Sequence, residues 1–468
     1  MTTSSAKVPV NFIRGWPAPS LLPASKLKAA SATVLSDPKL FVPGLEYGPD
    51  PGYQPLREEL ACFLGDFFGV APDPRRICIT GGASQNVACL LQSFTDPAYT
   101  QAVWVVAPCY HLICPILEDS GFRNRLRSIP EDEEGMRVDL LEEGLKEFEN
   151  AKPRDPVYKE LSPDRKAYRH IIYVVPTCSN PSGKTMTPAR RRAIVEVARS
   201  YDCLVICDDV YDFLTWPVLS PPPSSTAPAA SLVPSPPPLP RLVDLDRALG
   251  PSPHDAASGG HFGHVVSNGS FSKILGPGMR TGWAEGSPAL AHGLSATGSS
   301  RSGGAPSQLA AAIACEVLRC GALEDHLRDL VRPALQRRHG LLVDAARREL
   351  APLGVEFVSR NWEADGVGIY GGYFLWLRLG EGLPGASEVA KRCKEHENLI
   401  IAAGQMFAVK GDEQAVDLDR NVRLCFSYLD EALMVEGVER LAHVLRTWNE
   451  PLGPDSQRDQ GLNMATFK

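Results

Sequence analysis

Among the lysines of this chain, Lys273 has the most distinctive surroundings. It lies in SNGSFSKILGPGMRTGW, residues 267–283, just after an apolar stretch and among small residues and hydroxyls. Arg280 follows seven positions later. An amine that condenses with a carbonyl needs a depressed pKa, which desolvation and a neighbouring cation supply. Ser270, Ser272 and Arg280 add hydroxyl donors and a guanidinium fork, a set suited to a dianionic phosphate. Asp208 ends the apolar run CLVICD and stands three residues before Tyr211. A buried acid there is costly without a positive partner, helix capping being its plainer use. Arg423, in NVRLCFSY, is an arginine on an apolar strand. It too needs a partner of opposite charge, and its fork suits the α-carboxylate of an amino acid.

These residues must be positioned by regular elements, and the pattern shows which. Short apolar runs (RRICIT, AVWVVAP, HIIYVVPT, CLVICDDV) alternate with helical stretches such as NVACLLQSF and PARRRAIVEVARSYD. Continuous apolar strands separated by helices indicate a mainly parallel sheet covered on both faces, an α/β fold. Ligands in such sheets sit beyond the carboxyl ends of the strands. The reactive strings fall at such ends. ITGGASQ places Ser84 and Gln85 at a helix N-terminus, where N–H groups favour an anion, although Ser84 equally suits an ordinary N-cap. Asn180 stands in an N-P-S-G turn after an apolar strand, and Pro181 makes a cis bond accessible. After about residue 319 a long amphipathic helix, two strand-like runs and a closing helix read as a second, smaller α+β domain.

The strings together resemble the class I/II aminotransferases, which depend on pyridoxal 5′-phosphate (PLP), and their kynurenine and 2-aminoadipate branch in particular. Residues 267–283 are similar to the family's Ser-x-Ser-Lys-x6-Arg signature, and N-P-S-G, the D-x-x-Y of Asp208 and Tyr211, Gly371-Gly372, Gly404-x-x-Phe407 and Asn421-x-Arg423 match further motifs. The resemblance runs from about residue 11 to 447. It implies the aspartate aminotransferase fold and Lys273 as the residue that holds the cofactor. It further implies that Asp208 faces the pyridine nitrogen, while Tyr211 and Asn180 reach the ring phenolate oxygen. Ser84, Gln85, Ser270, Ser272 and Arg280 would hold the phosphate, and Tyr110 would stack on the ring unless it is a core tyrosine. Arg423, Asn180 and Gly15 would bind the substrate. Tyr47 would reach the phosphate of a neighbouring subunit, which requires a homodimer. The implied reaction is transamination between an amino acid donor and a 2-oxo acid acceptor, in amino acid metabolism and biosynthesis. Other PLP reactions (β-elimination, decarboxylation, carbon–carbon bond formation) use the same contacts and remain the alternative. A ligand-sensing regulator would need a helix-turn-helix segment, for which the short N-terminal arm is expected to leave no room.

Composition narrows the setting. The 468 residues suit an arm (1–44), a large PLP-binding domain (45–318) and a small domain (319–468) with a loose tail after 448. A net charge of −7 offers no basic face for nucleic acid. No apolar run is long enough for a signal peptide or membrane span. Twelve scattered cysteines without a CxxC pair fit reduced thiols, so the cytoplasm is expected, and no metal site is indicated. Two departures from the family pattern stand out. A Pro/Ser-rich insertion at about 217–262 is expected to be solvated and dispensable. Arg14 and Trp16, in RGWPAP, replace residues that are commonly small or aliphatic in the family, and Arg14 is open to either a surface role or a role facing the substrate.

Overall fold

A computed structural model describes residues 7–149, 155–161, 163–218, 238–258, 260–303, 306–359, 362–364 and 366–450. Eight strands form the large sheet: β1 (Ile77–Thr80), β2 (Ala102–Ala107), β3 (Leu126–Asp132), β4 (Gly135–Met136), β5 (His170–Val174), β6 (Cys203–Asp208), β7 (Val265–Ser270) and β8 (Gly282–Glu285). Their spatial order is β1-β8-β7-β6-β5-β2-β3-β4. From β7 to β3 every neighbouring pair is parallel, while β8 runs antiparallel to both β7 and β1.

The apolar runs are continuous because both faces are covered. Val103, Val105, Ile171, Tyr173, Leu204 and Ile206 enter one core with Val87, Leu90 and Phe94 of the helix Ala83–Phe94. The alternate residues Trp104, Val106, Ile172, Val174, Val205 and Cys207 enter a second core on the opposite face, with Leu141, Leu145, Ile194 and Val195. The period of two along each strand thus assigns side chains to two separate cores. It also puts Asp208, the residue two beyond Ile206, on the same face as Tyr173.

A second sheet has the order β9 (Val355–Phe357), β10 (Phe374–Leu379), β12 (Asn421–Cys425), β11 (Ala402–Ala403). The N-terminal arm joins this region: Val10–Asn11 pairs in parallel with Leu399–Ile400. Cys425 N–H then donates to Phe12 O (3.1 Å) and Ser427 Oγ to Trp16 O (2.7 Å), so residues 10–16 run along β12 and its extension.

Part of the stretch expected to be a solvated insertion has regular structure. Residues 219–237 lie outside the described residues, as does the tail from 451. The flank expected to be solvated is built in: Leu242–Ala248 and Pro253–Ser258 are helical, and Leu242 and Val243 are buried in the second core. Arg241 is buried and donates to Glu285 Oε2 (2.6 Å) and Asp244 Oδ2 (2.8 Å). The proline-rich text hid a short amphipathic helix behind it. All twelve cysteines are free thiols. Among the described residues no helix is long and apolar enough to cross a membrane, and no metal-binding cluster occurs.

Candidate active site

Beyond the carboxyl ends of β2, β5, β6 and β7 lies a cavity of about 400 Å³, closed on its far side by the second sheet and the arm. Lys273 reaches it from a single 3-10 turn, Phe271–Lys273, that follows β7. Ser270 starts this turn by accepting the N–H of Ser272 (3.1 Å), and Phe271 anchors it against Trp283 at 5.1 Å. From the other side, Tyr373 donates to the Lys273 carbonyl (3.3 Å). The Lys273 amine donates to Gly15 O (2.8 Å). Burial pushes its pKa down to about 8, helped by Arg423 and opposed by Cys425 and Asp208.

Asp208 ends β6 opposite Asn268 of β7. Its Oδ2 accepts a 2.6 Å hydrogen bond from Tyr173, while its Oδ1 is buried without a partner among the described residues. Burial raises this carboxyl to about 6, with Tyr173 and Lys273 holding it down. Tyr211, three residues on, packs edge-on against Tyr373 at 5.5 Å and lines the same cavity.

Across the cavity, Arg423 on β12 is fully desolvated, which lowers its guanidinium to about 10. Its Cζ lies 4.1 Å from the Phe374 ring centroid and 4.7 Å from that of Phe407. Nη1 donates to Asn180 Oδ1 (2.7 Å) and Nη2 to Ile13 O (2.6 Å), and Nε is buried and unpaired. No carboxylate among the described residues pairs with it. The Asn180–Pro181 bond is cis, as the sequence made accessible.

Ser84, Ser270, Ser272 and Arg280 meet at one end of the cavity, by the first turn of Ala83–Phe94. That helix is pinned to β7 by Asn86 Nδ2 donating to Asn268 Oδ1 (2.8 Å). Arg280 donates to Gly81 O and Pro277 O, both at 2.8 Å. Gly82 is required beside it: at φ +100°, a Cβ would stand 2.6 Å from Arg280 Nη2. Gly15 is likewise a close approach, since a Cβ would meet Phe374 Cζ at 2.8 Å.

Two of the residues named for the cofactor do not line this cavity: Gln85, and Tyr47, whose expected place is the partner's site. Gln85 turns back on its own helix, accepting Gly81 N–H (2.9 Å) and donating to Cys89 Sγ (2.9 Å). Tyr47 is 91% exposed and lines a different hollow beside Gly303 and Ser300. Tyr110 does line the cavity, where burial raises its hydroxyl to about 12. Tyr173 was missed: a tyrosine within an apolar strand reads as core, and its placement diagonal to Asp208 depends on strand register.

The donor set fits PLP. An orphaned carboxylate oxygen suits a pyridinium N–H, the three serines, Arg280 and the helix N-terminus suit a phosphate, and Lys273 offers a partly deprotonated amine.

Residues 27–441 match the family described as aminotransferase class I and II. An uncharacterised protein of Saccharomyces cerevisiae is 33% identical over 94% of this chain and 97% of its own length. The aromatic-amino-acid aminotransferase 1 of Thermococcus litoralis is 26% identical over 93% of this chain and 88% of its own. In structure, the kynurenine aminotransferase of Pyrococcus horikoshii, solved with pyridoxamine phosphate, superposes with a TM-score of 0.72 at 25% identity, covering 95% of this chain and 92% of that one. Sequence, fold and cavity therefore agree that the chain belongs to the class I and II aminotransferases and is a PLP-dependent transaminase, moving an amino group between an amino acid and a 2-oxo acid.

Proposed function

We propose that Lys273 is the cofactor-bearing lysine and the proton carrier of this transaminase, and that Asp208 and Arg423 fix the two ends of its reacting assembly. The buried, unpaired Oδ1 of Asp208, on the same cavity as Lys273, carries this reading. Bound PLP supplies an aldehyde that exchanges amino groups and a ring that takes up the electrons released at the substrate Cα. Asp208 Oδ1 holds the proton on the ring nitrogen, and Tyr173 keeps the carboxylate oriented. Tyr211 and Asn180 are within the cavity to donate to the ring hydroxyl oxygen. Ser84, Ser270, Ser272 and Arg280 bind the phosphate. Arg423, stacked between Phe374 and Phe407, takes the substrate carboxylate on a preset fork, and Gly15 leaves room for it. Lys273 Nζ would take the proton from the substrate Cα and deliver it to the cofactor's aldehyde-derived carbon, a task suited to an amine with a pKa of about 8.

The proposal extends to the setting. The active unit is a homodimer in which Tyr47 reaches the partner's phosphate, in the cytoplasm, within amino acid biosynthesis. The division is an arm to residue 44, a large domain to 318 and a small domain beyond.

Mixing the holoenzyme with amino donors singly, without acceptor, tests the reaction. The account expects stoichiometric conversion to the pyridoxamine form with release of the matching 2-oxo acid. Release of ammonia or carbon dioxide instead would assign a lyase or decarboxylase.

A further inference from the structure

We propose that Arg14 is a specificity-determining residue that reads a second, distal carboxylate, making dicarboxylic amino acids and their 2-oxo acids the preferred substrate class. This rests on the transamination reading and goes beyond it.

Arg14 lies between two residues already tied to the site. Ile13 gives its carbonyl to Arg423, and Gly15 gives its own to Lys273. The backbone here is fixed along β12, so the placement of Arg14 is fixed too. Its guanidinium Cζ lies 5.3 Å from the ring centroid of Trp16 and 5.3 Å from that of Tyr428, and these two rings meet edge-on. Such packing orients a guanidinium but leaves its donors free. Of those donors, Nη1 makes one long bond to Tyr428 OH (3.2 Å), and Nε is buried with no partner. No carboxylate among the described residues pairs with Arg14.

The cavity thus presents two immobilised guanidinium groups, Arg14 and Arg423, each with a buried unpaired Nε. Arg280 differs in having no buried unpaired Nε, while its terminal nitrogens donate to Pro277 O and Gly81 O. Lys394, also on the cavity wall, is exposed and hydrated. One carboxylate satisfies Arg423. Arg14 is half-buried, and a substrate that covers it without pairing it takes a cation out of water uncompensated, a cost that a second carboxylate on the same substrate removes.

The test compares the wild-type holoenzyme with Arg14→Gln and Arg14→Lys. Conversion to the pyridoxamine form is followed with glutamate and with phenylalanine, and glutarate and 3-phenylpropionate are titrated calorimetrically. The glutamate-to-phenylalanine rate ratio and the glutarate-to-phenylpropionate affinity ratio should each fall roughly 10- to 100-fold in Arg14→Gln. Arg14→Lys, which keeps the charge but not the fork, should recover part of both. Both ratios within about twofold of wild type in Arg14→Gln would overturn the proposal. If no donor aminates the wild type, the transamination reading fails while the affinity ratio still decides the role of Arg14.

Discussion

Tyr173 on β5 and Asp208 at the end of β6 are joined by a 2.6 Å hydrogen bond that uses one carboxylate oxygen and leaves the other buried and unpaired. The bond orients the carboxyl, and because the hydroxyl donates to the charged form it offsets part of the cost of burial. The remaining oxygen points its charge at whatever cationic N–H the cavity receives.

Asp208→Asn should therefore retain the cofactor, whose phosphate contacts are elsewhere, yet lose most activity. The expected loss is about 3–5 kcal/mol of transition-state stabilisation, or roughly 10²- to 10⁴-fold in kcat. Cofactor absorbance and steady-state turnover of the purified variant check it. Turnover near wild type would mean that Asp208 does not face the ring nitrogen.

The chemistry of this site was more legible in the sequence than its geometry. Asp208 and Ser270 end strands and Arg423 sits on one, where apolar periodicity locates them, while Asn180 is marked by its N-P-S-G turn. What places Tyr173 against Asp208 is the register of β5 on β6, and register is a property of the pair rather than of either string. Gln85 shows a related limit: facing a ligand and bonding Gly81 N–H are equally open to a side chain in the first turn of a helix, and here it bonds Gly81. The flank of the insertion was hidden by composition, since the prolines before residue 241 masked the apolar pair Leu242–Val243.

That flank gives a stability prediction. Arg241 bonds Glu285 and Asp244 and lies 4.1 Å from the Phe68 ring centroid, all within the protein interior. Arg241→Ala leaves the buried Glu285 carboxylate with Arg76 alone (3.1 Å) and should cost about 1.5–3 kcal/mol. A deletion reaching residue 255, harmless if the insertion were solvated throughout, removes Arg241 and Leu242 and should yield insoluble protein. Thermal denaturation checks the first and solubility the second.

Lys273 gives a pH prediction. Its pKa is lowered from the ordinary 10.5 to about 8, so its amine loses its proton as pH rises through 8 instead of through 10.5. Only the neutral amine attacks an aldehyde, so covalent capture of PLP by the apoprotein should speed up with pH and level off above about 8. Stopped-flow absorbance at several pH values measures it. A rate still climbing steeply at pH 10 would show an unperturbed lysine.

Tyr47, exposed in the single chain, carries the prediction about assembly. Tyr47→Phe should weaken PLP binding by roughly 1.5–3 kcal/mol, the worth of a hydrogen bond to a charged group. Mixed dimers of Tyr47→Phe and Lys273→Ala chains contain one site with both an intact Lys273 and a borrowed Tyr47, and that site should regain wild-type affinity. Affinity that stays weak in verified mixed dimers contradicts a shared site.

The most direct measurement is borohydride reduction of the holoenzyme followed by peptide mapping. Covalent attachment to Lys273 predicts that the reduced cofactor is recovered on the peptide containing residue 273, and that Lys273→Ala yields no labelled peptide. Label on any other lysine, or undiminished labelling of Lys273→Ala, would contradict it.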